Sequence, residues 1–139
     1  MSTDNTALHK DFTIRTSIAP WLTVQDSGKA VDFYKAAFGA VETYRLETAD
    51  GPIVKLSVND AEFWVSGEIT ADEKLTPEAL GGGTIRIILT VPNPDPLFDR
   101  AIKAGATEIF PIGEDFGWRL GRLVDPYGLH WEIGHPLEA

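Results

Sequence analysis

Pro20-Trp21-Leu22-Thr23-Val24 and Ile87-Ile88-Leu89-Thr90-Val91 are two apolar, β-rich strings, and each leads through a capping signal into a short amphipathic helix. After the first, Asp26 or Ser27 caps a stripe of Ala30, Val31, Tyr34, Ala37 and Phe38. After the second, Asn93-Pro94-Asp95-Pro96 caps and starts a helix carrying Leu97, Phe98, Ala101 and Ile102. The helices stop at Gly39-Ala40 and Gly105-Ala106. One unit is therefore written twice.

The rest of each copy follows the same order. Downstream of the first helix, Val41–Thr48, Pro52–Val58 and Ala61–Ser66 read as strands, with hairpin chemistry at Ala49-Asp50-Gly51 and Asn59-Asp60. Downstream of the second, Thr107–Ile112, Trp118–Asp125 and Leu129–Gly134 read as strands, and Asp125-Pro126-Tyr127-Gly128 is a strong turn. The first strand is expected from about Thr13 to Val24, with Pro20 suited to an edge. The second copy begins with Thr84–Val91. Between the copies, Gly67 to Gly83 is a charged connector with one helical turn near Pro77–Leu80. Residues 1–12 read as a flexible tail and 13–139 as a single domain. Its first module covers about 13–66, the linker 67–83 and the second module about 84–134.

The register follows from the strings. Leu22-Thr23-Val24 falls on Leu89-Thr90-Val91, and Phe63-Trp64-Val65 on Trp131-Glu132-Ile133. An α+β fold of two βαβββ modules is expected, each with one apolar sheet face under its helix. The opposite faces are expected to curve together around a shared groove. Strand alternation puts Ala19, Trp21 and Thr23 on one face and Pro20, Leu22 and Val24 on the other, and it turns Trp131 toward the helices.

Composition narrows the function. The chain of 139 residues is 43% hydrophobic, enough for one domain with a real core. It has no cysteine, so disulfides and thiolate chemistry are excluded, and a reducing, cytoplasmic setting is expected. No run approaches a membrane span, and the start lacks a signal-peptide core. A formal charge of −9 opposes nonspecific nucleic-acid binding. Gly81-Gly82-Gly83 precedes a strand rather than opening a helix, so it is no phosphate loop. No nucleophile elbow surrounds a serine.

Ile18-Ala19-Pro20-Trp21-Leu22-Thr23-Val24-Gln25-Asp26, followed by Ala30-Val31-Asp32-Phe33-Tyr34 and Phe38-Gly39-Ala40, resembles the opening of glyoxalase/bleomycin-resistance proteins. Phe116-Gly117-Trp118-Arg119-Leu120-Gly121-Arg122, Asp125-Pro126-Tyr127-Gly128 and Trp131-Glu132 look like the closing signature of the same superfamily, the vicinal oxygen chelate proteins. The branch suggested is the demethylubiquinone-methyltransferase-like group. The resemblance spans about Ser17 to Gly134. It implies a cup-shaped mixed sheet with helices outside, a small-molecule groove and a homodimer.

Metal enzymes of this superfamily place a His, Gln or Glu ligand on the first and last strand of each module. Mapped through the repeat, those positions are Ala19, Trp64, Arg86 and Glu132. Only Glu132 is a metal ligand by chemistry, and Arg86 is a permanent cation. No metal cofactor is expected, and Glu132 is read as the partner of Arg86, so that Arg86→Ala strands it. An alternative set for a divalent metal is Glu62, His130 and Glu132. The expected ligand-binding residues are Trp21, Trp64, Arg86, Trp118, Arg119, His130 and Glu132, with Glu132 also the candidate general base. The first function expected is metal-independent binding of a small apolar or aromatic ligand, the acidic charge suiting a cationic glycopeptide such as bleomycin. The rival is a glyoxalase-like lyase or a dioxygenase with displaced metal ligands.

Overall fold

The computed structural model describes residues 14–67 and 75–138. Its elements run β1 (Trp21–Thr23), α1 (Ser27–Phe38), β2 (Val41–Leu46), β3 (Ile53–Val58) and β4 (Ala61–Ser66). After α2 (Pro77–Leu80), the pattern repeats as β5 (Arg86–Thr90), α3 (Pro94–Ala104), β6 (Thr107–Asp115), β7 (Trp118–Val124) and β8 (His130–Pro136). The expected tail and residues 68–74 of the expected linker lie outside the described residues.

The two sheets have the same topology, β1-β4-β3-β2 and β5-β8-β7-β6. In each, the first strand is parallel to the last and the remaining pairs are antiparallel. The internal repeat holds residue by residue: Trp21 pairs with Trp64 where Ile88 pairs with Glu132, and Leu22 with Val65 where Leu89 pairs with Ile133.

Local chemistry explains the boundaries. Asp26 caps α1 by accepting from the Lys29 amide at 3.0 Å, and Gly39 ends it at φ 68°, a left-handed conformation that glycine adopts at no steric cost. Asn93 occupies the N-cap position of α3 but makes no side-chain cap bond. Pro96, at the third helical position, lacks an N–H group, which removes one of the two donors such a cap would serve. The strand expected from Thr13 shrinks to Trp21–Thr23, with Ile14 and Ile18 exposed ahead of it. β6 instead continues past Ile112 to Asp115. Pro111 falls where the β6–β7 register shifts between Phe110 and Gly113, a bulge that an edge strand tolerates.

One core joins the modules. Trp131, 2% exposed, packs against Phe38 at 4.7 Å, Phe63 at 5.5 Å and Tyr34 at 5.6 Å between ring centroids. The helices also meet, with Arg100 Nε donating to the Ala36 carbonyl at 2.7 Å. Asp125 fastens the centre. Its Oδ2 accepts from Tyr34 Oη at 2.6 Å and Trp131 Nε1 at 2.9 Å, and its Oδ1 from the amides of Tyr127 and Leu129. Burial pushes the Asp125 carboxyl above its ordinary value, against the pull of those four donors. Burial, followed by the adjacent Asp125 carboxylate, raises the Tyr34 hydroxyl well above its own.

Candidate functional site

The modules meet on their helix-covered side. The principal cavity, about 740 Å³, is lined only by residues of the second sheet and its hairpin. A smaller cleft, about 220 Å³, lies between the modules, lined by residues such as Trp21, Leu22, Ile85, Ile87 and Leu129. On the helix-covered side Trp131, Phe63, Tyr34 and Phe38 form one apolar mass. The hydrophobic effect holds the modules together there.

Arg86 on β5, Glu132 on β8 and Arg122 on β7 make the charged floor of this cavity. Glu132 Oε2 lies 3.3 Å from Arg86 Nε and 3.4 Å from Arg122 Nη2. Arg86 and Glu132 thus meet as the sequence anticipates, but Glu132 is not left alone when Arg86 is removed. Arg122 also lies over the Phe110 ring, 5.1 Å from its centroid. The walls are Phe110, Phe116, Trp118 and Leu120.

The hairpin tip is conformationally unusual. Asp115 pairs with Trp118, leaving Phe116-Gly117 as a two-residue loop with φ of 51° and 79°. Both positive angles suit a tight turn between antiparallel strands, but a bulky residue at the first position is strained. Phe116 is held there almost fully exposed, 94%, at the cavity mouth. Its amide donates to Asp115 Oδ1 at 2.9 Å.

The other expected site residues fall elsewhere. Arg119 is on the wrong face of β7. It forks onto Asp95 in the first turn of α3, Nε to Oδ1 at 2.9 Å and Nη2 to Oδ2 at 2.5 Å, and its Nη1 reaches Glu114 Oε2 at 3.3 Å. This pairing holds the Asp95 carboxyl below its usual value. Trp118 and Arg119 are neighbours on a strand and therefore cannot share a face. The same alternation places Leu120 and Arg122 with Trp118, so the sequence carries a signal for both residues. Phe110 and Phe116 had no comparable signal, since the bulges of β6 break the alternation around Phe110 and Phe116 lies in the loop beyond it.

Trp21 and Trp64 build a separate surface on the first sheet. Their rings stack at 5.6 Å with an 18° interplanar angle, and Trp21 Nε1 donates to Ser66 Oγ at 2.8 Å. Tyr44 meets Trp64 edge-on at 5.7 Å, and Lys55 Nζ lies 5.3 Å from the Trp64 ring centroid. His130 is the register partner of Arg86 and shares the face of Glu132, but it does not line the cavity. Its Nδ1 is buried without a hydrogen-bond partner.

The residues do not fit the superfamily's divalent metal. Ala19 offers no donor atom, Trp64 is engaged in ring stacking, and Arg86 puts a cation against Glu132. The alternative donors are not gathered either. Glu62 lies on the first sheet beside Lys55, at 3.3 Å, while His130 and Glu132 are on the second. Among the described residues, no three His, Asp or Glu side chains group as a metal site.

Paired β-α-β-β-β modules with a cavity on a sheet face define a class that comparison identifies. Residues 15–133 match the model of the Glyoxalase/Bleomycin resistance protein/Dioxygenase superfamily, and the chain belongs to that superfamily. It is similar to an uncharacterized protein of Mycobacterium bovis, Mb0911c, with 35% identity over 130 residues, 89% of this chain and 86% of that one. Among solved structures it resembles the product of the Arabidopsis thaliana gene At5g48480, with a TM-score of 0.70 and 24% identity, over 88% of this chain and 100% of that one. A fosfomycin resistance protein from Listeria monocytogenes, FosX, solved as a mutant complexed with Mn(II) and 1S,2S-dihydroxypropylphosphonic acid, shares the fold. Its TM-score is 0.64 at 15% identity, covering 89% of this chain and 92% of that one. Among the described residues, no helix is long and apolar enough to cross a membrane.

Proposed function

We propose that this chain binds a small apolar or aromatic molecule in the cavity of its second sheet, without the metal of the superfamily's enzymes, as a cytoplasmic homodimer. One observation carries the reading: a cavity of about 740 Å³ walled by Phe110, Phe116, Trp118 and Leu120, with charge confined to its floor and rim. Apolar walls with few polar anchors are the usual make-up of a small-molecule site, and the volume lies within the ordinary range. A homodimer is supported by the apolar side chains left on the sheet faces, Trp21, Tyr44 and Leu46 on one and Ile88 and Phe110 on the other. The absence of cysteine suits a reducing compartment.

Native mass spectrometry of the protein as purified tests this directly. The expected spectrum shows twice the chain mass and, where a ligand is retained, an organic adduct that Trp118→Ala releases. Elemental analysis accompanies it. Stoichiometric zinc, nickel, manganese or iron that is lost on Glu132→Ala overturns the metal-free reading in favour of a lyase or dioxygenase.

A further inference from the structure

The charged floor narrows the ligand class. The geometry points to a planar aromatic anion, a carboxylate in the first instance, received between Arg86 and Arg122; this rests on the ligand-binding reading above. Two guanidiniums face a single carboxylate, so the floor carries a surplus positive charge in a chain whose formal net charge is −9. Neither guanidinium is saturated. A charge-assisted N–H···O bond is about 2.7–2.9 Å long, whereas the two contacts to Glu132 measure 3.3 and 3.4 Å and both fall on Oε2. Arg119 shows what a satisfied guanidinium looks like in this protein, with two short bonds to one carboxylate. Arg122 Nε, by contrast, is buried with no acceptor, an arrangement that ordinarily costs stability.

The cavity's cations are both at the floor, and its remaining acids are at the rim. Arg122 lies over the Phe110 ring, which sets its guanidinium beside an apolar wall. The other acids that line the cavity, Glu114 and Asp115, belong to the tip of the β6–β7 hairpin, away from the floor, where Glu114 shares Arg119 with Asp95 and Asp115 accepts from the Phe116 amide. Arg122 is four residues along β7 from Trp118 at that tip, a strand length of about 13 Å. A molecule lying along the cavity therefore places its anion at the floor and its ring against Phe110 and Trp118. A cationic group is disfavoured at that floor, between Arg86 and Arg122.

Isothermal titration with naphthoate, its neutral amide and the cationic naphthylmethylamine tests the inference on the intact protein. Naphthoate is expected to bind roughly tenfold or more tightly than the amide, the range of one charge-assisted contact. Arg122→Gln is expected to abolish that preference while the amide still binds. Glu132→Gln removes the competing carboxylate and is expected to tighten naphthoate binding several-fold, an effect that mere structural damage does not produce. Equal affinity for naphthoate and amide, or tighter binding of the amine, overturns the anion site and leaves the ligand-binding reading standing. No binding of any of the three overturns both.

Discussion

Replacing Asp125 by alanine removes a carboxylate that is 4% exposed and accepts from four donors. Two of those donors, the Tyr34 hydroxyl and the Trp131 indole N–H, belong to side chains that are 0% and 2% exposed, so water does not replace the lost acceptor. Each buried donor left without a partner costs about 1–3 kcal/mol. The two amides sit on a half-buried turn and are the more easily rehydrated. Relief of the carboxylate's own desolvation offsets part of the loss. The net expectation is destabilisation of about 2–5 kcal/mol, against a total of about 5–15 kcal/mol for a domain. Tyr34→Phe removes one of the four donors and is expected to cost about 1–2 kcal/mol. Urea unfolding followed by tryptophan fluorescence measures both, and the double variant completes a cycle. Because Tyr34 and Asp125 share one hydrogen bond, their coupling is expected to be about 1 kcal/mol or more. A loss below about 1 kcal/mol for Asp125→Ala, or additive effects within about 0.5 kcal/mol, refutes the view that this carboxylate ties the modules together.

The raised Tyr34 hydroxyl makes a pH-dependent contribution that is fully present below its unfolded value of about 10 and lost as pH rises through the higher folded value. Urea midpoints above about pH 10 are therefore expected to fall more steeply for the natural chain than for Tyr34→Phe; parallel curves contradict this. A Cβ at Gly134 would overlap the Arg119 carbonyl oxygen and lie 2.6 Å from Leu120 Cβ, so Gly134→Ala is expected to cost about 3 kcal/mol or more by forcing β7 and β8 apart. A thermal shift of about a degree or less would show that the sheet absorbs the methyl group. Arg86→Ala is expected to change stability by less than about 1 kcal/mol, since the Arg86 side chain is 56% exposed and Arg122 still holds Glu132. A larger loss would mean that Arg86 alone neutralises Glu132.

Much of this protein is legible in its sequence. The two strings, their Gly-Ala stops and the Asp125–Gly128 turn specify a repeated β-α-β-β-β unit, because caps, turns and period-two alternation act over a few residues. Alternation also assigns faces correctly for Trp131, inward to the helices, and for Arg86 with Glu132, outward together. Applied consistently along β7, it separates Arg119 from Arg122, so the choice between these two arginines was already open to the sequence.

The long-range features were not. Asp125 reads locally as a turn residue, yet it receives the Tyr34 hydroxyl from 91 positions earlier in the chain. No local pattern encodes that approach, which arises only when α1 packs on the second module. The same packing decides which faces of the two modules meet. Backbone preferences acting over a few residues were enough to specify the two modules and the polarity of their strands. Which surfaces the modules bury against each other emerged only from the competition among apolar faces for a common core.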